Sequence, residues 1–465
     1  MKAAVAAGHP ATTAAALEIL ESGGGAADAA VAAVLASCVA ETVMTGLLGG
    51  GHAIYFDAPT GRVRNLDCFV AVPGLDGPGP IGDLLHLEVP FGEEIVHYAV
   101  GPASCGVPGL PAGLSALWRE HGLLPWPRLV EPALRLARGG VDFPPTHAAC
   151  LAMLAPVMTM NEGAAIYAPG GLLLQGGGRL EQPGLAAALE AVAEEGAHGA
   201  MYGGSLGESL VALCAERGGL VTHADLGAYK AHWEEPAEVP YLEGMLRTRG
   251  GLSGIAETVP RLPSLNCLTE TARVLALVGP LEAPVGGNGD TTNVTVVDGE
   301  GSACVFTTSL GLGSGDFLPG LDLHLNSMLG EADLLRGRLE AGARMQSMMA
   351  PTLSFDDEGL SAAAGAAGGT RLRTALLSVL AGILDEELDA VSAVERPRFH
   401  PTREVVNAEP GVDEAALGIL EARGRVVRRW PGRHHYFGGV SVVSRRGAAA
   451  DPRRDGAASA IGREG

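Results

Sequence analysis

From Ala26 to Ala40 the chain reads AADAAVAAVLASCVA, apolar at nearly every position, with Asp28 as its single charge. A helix with one apolar stripe lies on a surface, whereas a helix apolar all round must be covered on every side. This stretch therefore predicts a helix buried between layers, in a chain large enough to surround it. It is shorter than the ~20 residues needed to cross a bilayer. At 465 residues and 47.3 kDa the chain has the material. Area scaling gives roughly 16,000 Å² folded against roughly 69,000 Å² unfolded, so about three quarters of the surface is buried.

Other elements follow along the chain. Pro10 can open a helix over Ala11–Ser22, and Gly23-Gly24-Gly25 stops it. His52–Phe56 and Arg62–Val70 flank the turn Asp57-Ala58-Pro59-Thr60-Gly61 and read as a hairpin. Helical patterns recur at Gly113–Glu120, Leu129–Arg138, Leu185–Glu194 and Leu206–Glu216. Residues 246–290 lack periodicity and are rich in Gly, Pro and Thr, which predicts a loop or linker. At Thr291 the texture changes. Thr292, Val294 and Val296 alternate with Asn293, Thr295 and Val297, and a turn leads to a second strand over Ser302–Ser309. Helices are predicted over Arg371–Leu384 and Asp385–Val394, and the tail Arg453–Gly465 reads as polar and loosely held. A helix-rich half thus precedes a strand-led half, which suggests stacked antiparallel sheets under helical layers.

Composition removes several functions. The net charge of −21 argues against a nucleic-acid or anionic-membrane binder, which needs a basic face. Seven scattered cysteines form no Cys-x-x-Cys, and the histidines form no His-Glu-x-x-His, so no disulfide framework, metal site or cofactor is predicted. No signal-peptide pattern is read at the N-terminus, so the expected location is cytoplasmic.

One local pattern carries chemistry. In Asp290-Thr291-Thr292-Asn293 a Thr stands at a loop-to-strand junction. A Thr hydroxyl inside a chain is a poor nucleophile. As a first residue it gains its own α-amine, with a pKa near ~8, as general base. Thr-Thr at a strand start is more often simple packing, so the spacing alone leaves both readings open.

The wider sequence resembles the γ-glutamyltransferase (glutathione hydrolase) family of N-terminal-nucleophile (Ntn) hydrolases. The matching stretches run along most of the chain: residues 6–12, 23–32, Glu41–Phe56, Gly106–Leu114, Gly219–Tyr229, Thr291–Asp298, Pro397–His400 and Asp451–Arg454. The resemblance implies an α/β (α+β) fold, a four-layer αββα sandwich. It implies autoprocessing between Asp290 and Thr291, giving a large subunit of residues 1–290 and a small one of 291–465 that stay associated as one αββα domain. Whether they assemble further into a homo-oligomer is left open. Thr291 would be the nucleophile of both cleavage and turnover. Ser309 stands where a family Thr supports it, and Gly368 and Gly369 match the pair whose amides form the oxyanion hole. The implied substrate is a small-molecule amide, with water or an amine as acceptor.

The departures fall on substrate recognition. In Asp67-Cys68-Phe69-Val70, Phe69 stands where the family's carboxylate-binding Arg belongs, and Phe cannot form the bidentate clamp. Gly311 replaces an Asn. Met328 and Glu331 replace parts of an Asn-Asn-x-Met-Asp-Asp stretch, and Ser347-Met348 keeps one hydroxyl of a Ser-Ser pair. Three readings follow: an Ntn hydrolase or transferase of γ-glutamyl or similar amides, an acylase of non-glutamyl specificity, and a catalytically silent member with a binding role.

Overall fold

The computed structural model describes residues 3–77, 81–91, 94–282, 291–332, 334–335 and 339–462. Two sheets dominate it. One has seven strands in the order Ala457–Ala460, Ala4–Ala7, Thr292–Val297, Ala303–Ser309, Gly50–Asp57, Arg62–Cys68 and His232–Glu234. The other has six, in the order Gly447–Ala450, Gly439–Ser444, Gly359–Ala367, Thr352–Asp356, Gly244–Thr248 and Ala237–Tyr241. Neighbours within both sheets are antiparallel.

Strand alternation shows how the sheets stack. Ala4, Ala6, Val297, Ala303 and Val305 of the first sheet pack with Leu353, Ala363 and Val443 of the second. Their neighbours Val5, Ala7, Val296, Cys304 and Phe306 face the opposite way, onto the Ala26–Ala40 helix and its surroundings. On the far side of the second sheet, Ala362, Ala364, Val440 and Val442 pack under the Arg371–Leu384 helix. The layers are therefore helix, sheet, sheet, helix, because each strand has two buried faces with a different partner.

The all-apolar helix forms over Ala26–Ala40 as predicted, and every residue of it is buried. Its one charge has a structural use. Asp28 accepts the Gly25 N–H at 3.1 Å, closing a capping box, and accepts the Leu123 N–H at 2.9 Å, tying down the chain after the Leu110–His121 helix. The Arg371–Leu384 helix and the strands beside Thr291 also form where expected.

Three expectations are corrected. Residues 246–290 are not a linker: Gly244–Thr248 is a strand inside the second sheet and Glu270–Leu281 a helix packed in its core, while residues 283–290, Asp290 among them, lie outside the described residues. The predicted Asp385–Val394 helix starts only at Ala390. Glu387 has a left-handed φ of +58°, and the Asp389 side chain caps a fresh start by accepting the Ser392 N–H. The tail is not loose either: Ala457–Ala460 pairs with Ala4–Ala7, and Arg453 and Arg454 are buried.

Arg453 is held there by one acid distant in sequence and one close by. Its guanidinium bonds Glu409 at 2.7 Å and Asp451 at 3.2 Å, and Asp451 also pairs with Arg398. None of the helices among the described residues is long and apolar enough to cross a membrane.

Candidate active site

The strand pairing brings the predicted nucleophile to its predicted support. Thr292 opposes Thr308 and Asn293 opposes Thr307. Continuing that register by one residue sets Thr291 against Ser309, at the ~4.5–5.5 Å spacing of cross-strand neighbours. Thr291 and Ser309 do line one pocket, together with Phe69, Met328, Glu331, Leu334, Ser347, Met348, Met349, Gly369 and Leu372. Residues from six separate stretches of chain thus converge on one cleft.

Gly368 and Gly369 link the Gly359–Ala367 strand to the Arg371–Leu384 helix. Both have positive φ, +124° and +56°. A Cβ on Gly368 would sit 2.8 Å from the Gly438 Cα, so backbone conformation and space both require glycine there. Their carbonyls accept the Arg371 and Leu372 N–H groups and close the first turn of the helix. Gly369 reaches the pocket itself, whereas Gly368 lies one residue behind it.

The remaining candidates sit around the same cleft. The Ser309 Oγ accepts the Gly311 N–H at 3.0 Å. Gly311 has φ +70°, and a Cβ on it would come within 2.5 Å of the Glu331 Oε1. The glycine thereby leaves room for the Glu331 carboxylate in the pocket that Thr291 also lines. The Ser347 Oγ accepts the Met349 N–H at 3.2 Å.

Phe69 is buried, with its ring stacked on His52 at 5.6 Å. Burial first, then Arg249 and Arg344, push the His52 imidazole well below its usual range, so a neutral ring backs Phe69. The two arginines are engaged elsewhere. Arg344 bonds the Phe69 carbonyl at 2.8 Å and Asp67 at 3.2 Å, and lies 4.4 Å over the Tyr229 ring. Arg249 donates to the Ser347 carbonyl at 3.0 Å from behind the pocket wall. Among the described residues the lining carries one carboxylate, Glu331, and no Lys or Arg.

Sequence reasoning missed the apolar wall of Leu334, Met349 and Leu372, and two charged groups behind Thr291. Arg454 donates to the Thr291 carbonyl at 3.4 Å, and Glu41 accepts from Thr292. Both stand in stretches that carry the family resemblance, but nothing local to either shows that it folds back to Thr291 and Thr292. Among the described residues no group of three or more His, Cys, Asp or Glu is placed to hold a metal.

Residues 12–258 and 271–461 match the family model for gamma-glutamyltranspeptidase. The chain belongs to the gamma-glutamyltranspeptidase family. It is 28% identical to the Acylase ACY 1 proenzyme of Pseudomonas sp. (strain SE83), over 94% of this chain and 88% of that one. It is 26% identical to the mouse Glutathione hydrolase 5 proenzyme, over 95% and 89%. The crystal structure of cephalosporin acylase from Bacillus halodurans superposes with a TM-score of 0.83 at 21% identity, over 100% of this chain and 96% of that one. The fold is therefore the αββα sandwich of Ntn hydrolases, and the family member described here is an amidohydrolase or acyltransferase acting on small-molecule amides.

Proposed function

We propose that the chain cuts itself before Thr291 and then cleaves small amides through an acyl-Thr291 ester, with an acyl group that is largely apolar rather than γ-glutamyl. The observation that carries the specificity is the pocket lining of Phe69, Met328, Leu334, Met348, Met349 and Leu372, without a cation among the described residues. The similarity to an acylase proenzyme supports the same reading.

The chemistry runs on this chain's own groups. The Thr291 Oγ adds to the donor carbonyl, and its proton passes to the freed Thr291 α-amine, whose pKa near ~8 suits a base at neutral pH. The oxyanion takes hydrogen bonds from the Gly368 and Gly369 amides, helped by the start of the Arg371–Leu384 helix behind them. Collapse expels the leaving amine, which takes the proton back. Water or an acceptor amine then opens the ester. The processed subunits stay associated, since the Thr292–Val297 strand is paired on both sides, with Ala4–Ala7 of the large piece and Ala303–Ser309 of the small one.

A panel of γ-glutamyl, glutaryl and simple acyl anilides tests the specificity. A charge-assisted clamp is worth about 1.5–3 kcal/mol, roughly ten- to more than a hundredfold in affinity. Without it, γ-glutamyl anilide is expected to show a raised KM, and the apolar acyl anilide the highest kcat/KM. Phe69→Arg is expected to recover only part of the γ-glutamyl activity, because Arg344 already engages Asp67. A γ-glutamyl donor with a low-micromolar KM in the wild type rejects the apolar-pocket reading. A protein that hydrolyses none of the panel and never processes is the silent member instead.

The oxyanion assignment has its own test. Gly368→Ala places a Cβ against the Gly438 backbone and is expected to lower kcat by about 10²-fold, the scale of losing one oxyanion donor. Wild-type kcat in a folded, processed variant would remove Gly368 from that role.

A further inference from the structure

Behind the nucleophile lies a carboxylate that the proposed chemistry does not use. Glu41 follows the last turn of the Ala26–Ala40 helix and is fully buried. Its Oε1 accepts from the Thr12 hydroxyl at 2.6 Å, and its Oε2 accepts from the Thr292 hydroxyl. Thr12 lies in the Pro10–Glu21 helix, and Thr292 opens the strand that follows Thr291. One side chain therefore ties two helices to the residue next to the nucleophile. The fit is close: a Cβ on Gly8 would lie 2.3 Å from the Glu41 Oε2 and 2.7 Å from the Thr292 Oγ1, so Gly8, just past the Ala4–Ala7 strand, closes the third side.

The other end of the same peptide is held as well. Arg454 donates to the Thr291 carbonyl at 3.4 Å and touches the Met44 sulfur at 3.2 Å. The Thr291–Thr292 unit is thus gripped by a cation at its carbonyl and by an anion at the next side chain. A nucleophile whose base is its own α-amine needs this restraint, because the amine and hydroxyl are useful only while the first residue keeps one orientation.

We infer that Glu41 is a positioning residue for the Thr291 nucleophile, acting through the Thr292 hydroxyl. The inference rests on the reading of Thr291 as nucleophile. The ionised carboxylate is the form that fits, since it accepts from both hydroxyls at once. Protonation puts a hydrogen on one oxygen and turns one of the two links round.

Burial is the largest influence on Glu41 and pushes its carboxyl up to about 7. The Thr12 and Thr292 hydrogen bonds and the Arg454 charge oppose that rise. The groups facing it are few. Thr12 comes from one helix, Thr292 from the strand and Arg454 from the C-terminal segment. Cys38, on its own helix, is a buried thiol pushed far up and so stays neutral. Beside Arg454, the buried His147 is pushed down to about 3, first by burial and then by His9 and Arg454, and is neutral at working pH. Below about pH 7, Glu41 therefore takes up a proton and the restraint weakens.

The test uses the processed enzyme, with turnover normalised to the cleaved fraction by intact mass. Glu41→Gln and Thr292→Val are each expected to lower kcat 10- to 100-fold with KM within about twofold, because the interaction orients the reacting group and not the donor. The double variant should be no worse than the weaker single one, since both remove one link. Thr292→Ser should stay within about threefold of wild type. In the wild type the acid limb of kcat should reach a slope of two, from the α-amine and Glu41 together, and fall to one in Glu41→Gln.

Wild-type kcat with an unchanged slope in Glu41→Gln overturns the inference. So does a Thr292→Ser variant as slow as Thr292→Val, which would make the methyl group, and not the hydroxyl, the useful part. If Glu41→Gln does not fold, Thr292→Val still decides, because it keeps the carboxylate. Thr291→Ala separates the two levels of argument. Full activity there sinks the nucleophile reading itself, whereas an inactive Thr291→Ala beside an unaffected Glu41→Gln sinks only the positioning role.

Discussion

Thr291→Ala is expected to remain a single uncut chain and to lose turnover by at least about 10⁴-fold, the scale of removing a nucleophile from a covalent mechanism. Denaturing mass spectrometry of the wild type should show two pieces, residues 1–290 and 291–465, held together in native conditions. The geometry motivates this. Thr291 lies in the pocket at the head of a central strand, opposite Ser309, with Gly369 on the same cleft and Arg454 on its carbonyl. One substitution removes the single hydroxyl that, in the proposed mechanism, first attacks the Asp290 carbonyl and later carries the acyl group. A wild type that hydrolyses substrate while still a single 465-residue chain would reject the mechanism, because an internal Thr has no α-amine to act as base. Thr291→Ser is the useful companion. It keeps a hydroxyl and should process and turn over, more slowly.

Much of the fold was legible because its signals are local. An all-apolar run at Ala26–Ala40 can only be a covered helix, and alternation from Thr292 to Val297 can only be a strand whose two faces meet different surroundings. The pocket was legible through the family resemblance, which marks Thr291, Ser309, Gly369 and Phe69, whereas local pattern left Thr291 open. Thr291, Ser309 and Gly369 each stand at the end of a regular element, and Phe69 directly follows one. What was not legible depends on contacts made across the chain. The Met245-Leu246-Arg247 strand has no period of its own and is fixed by pairing with Leu353–Phe355. The Asp385–Val394 stretch looks helical until Glu387 takes a left-handed φ and Asp389 caps a restart. Glu41 and Arg454 reveal nothing until Thr292 and the Thr291 carbonyl are placed beside them. The charged tail is illegible for the same reason, since Glu409, the partner of Arg453, lies more than forty residues upstream.

That tail gives the largest expected effect on stability. Arg453 has 0% side-chain exposure, and Glu409 and Asp451 have 2% each. The guanidinium also donates to the carbonyls of Val394 and Arg396. Removing one member of a buried ion group strands the others, at a cost of about 3–5 kcal/mol. Arg453→Met is therefore expected to destabilise the protein by that amount. With an unfolding entropy of about 2.1 cal/mol/K per residue, a chain this long loses about 1 °C per kcal/mol, so Tm should fall by about 3–5 °C. Adding Glu409→Gln should recover part of the loss, because the stranded carboxylate is then neutral. The pH dependence gives the sign a second check. Burial pushes the Asp451 carboxyl up, but Arg398 and Arg453 more than offset it, and the group sits below the usual carboxylate range. A depressed folded pKa contributes stability that is present above the unfolded value and lost as pH falls toward the folded one. Wild-type Tm should accordingly drop on acidification through that window, and the drop should be shallower in Arg453→Met. A variant within 1 °C of wild type at neutral pH would mean that water replaces the guanidinium without cost, and that the tail is anchored by the pairing of Ala457–Ala460 with Ala4–Ala7 rather than by its charges.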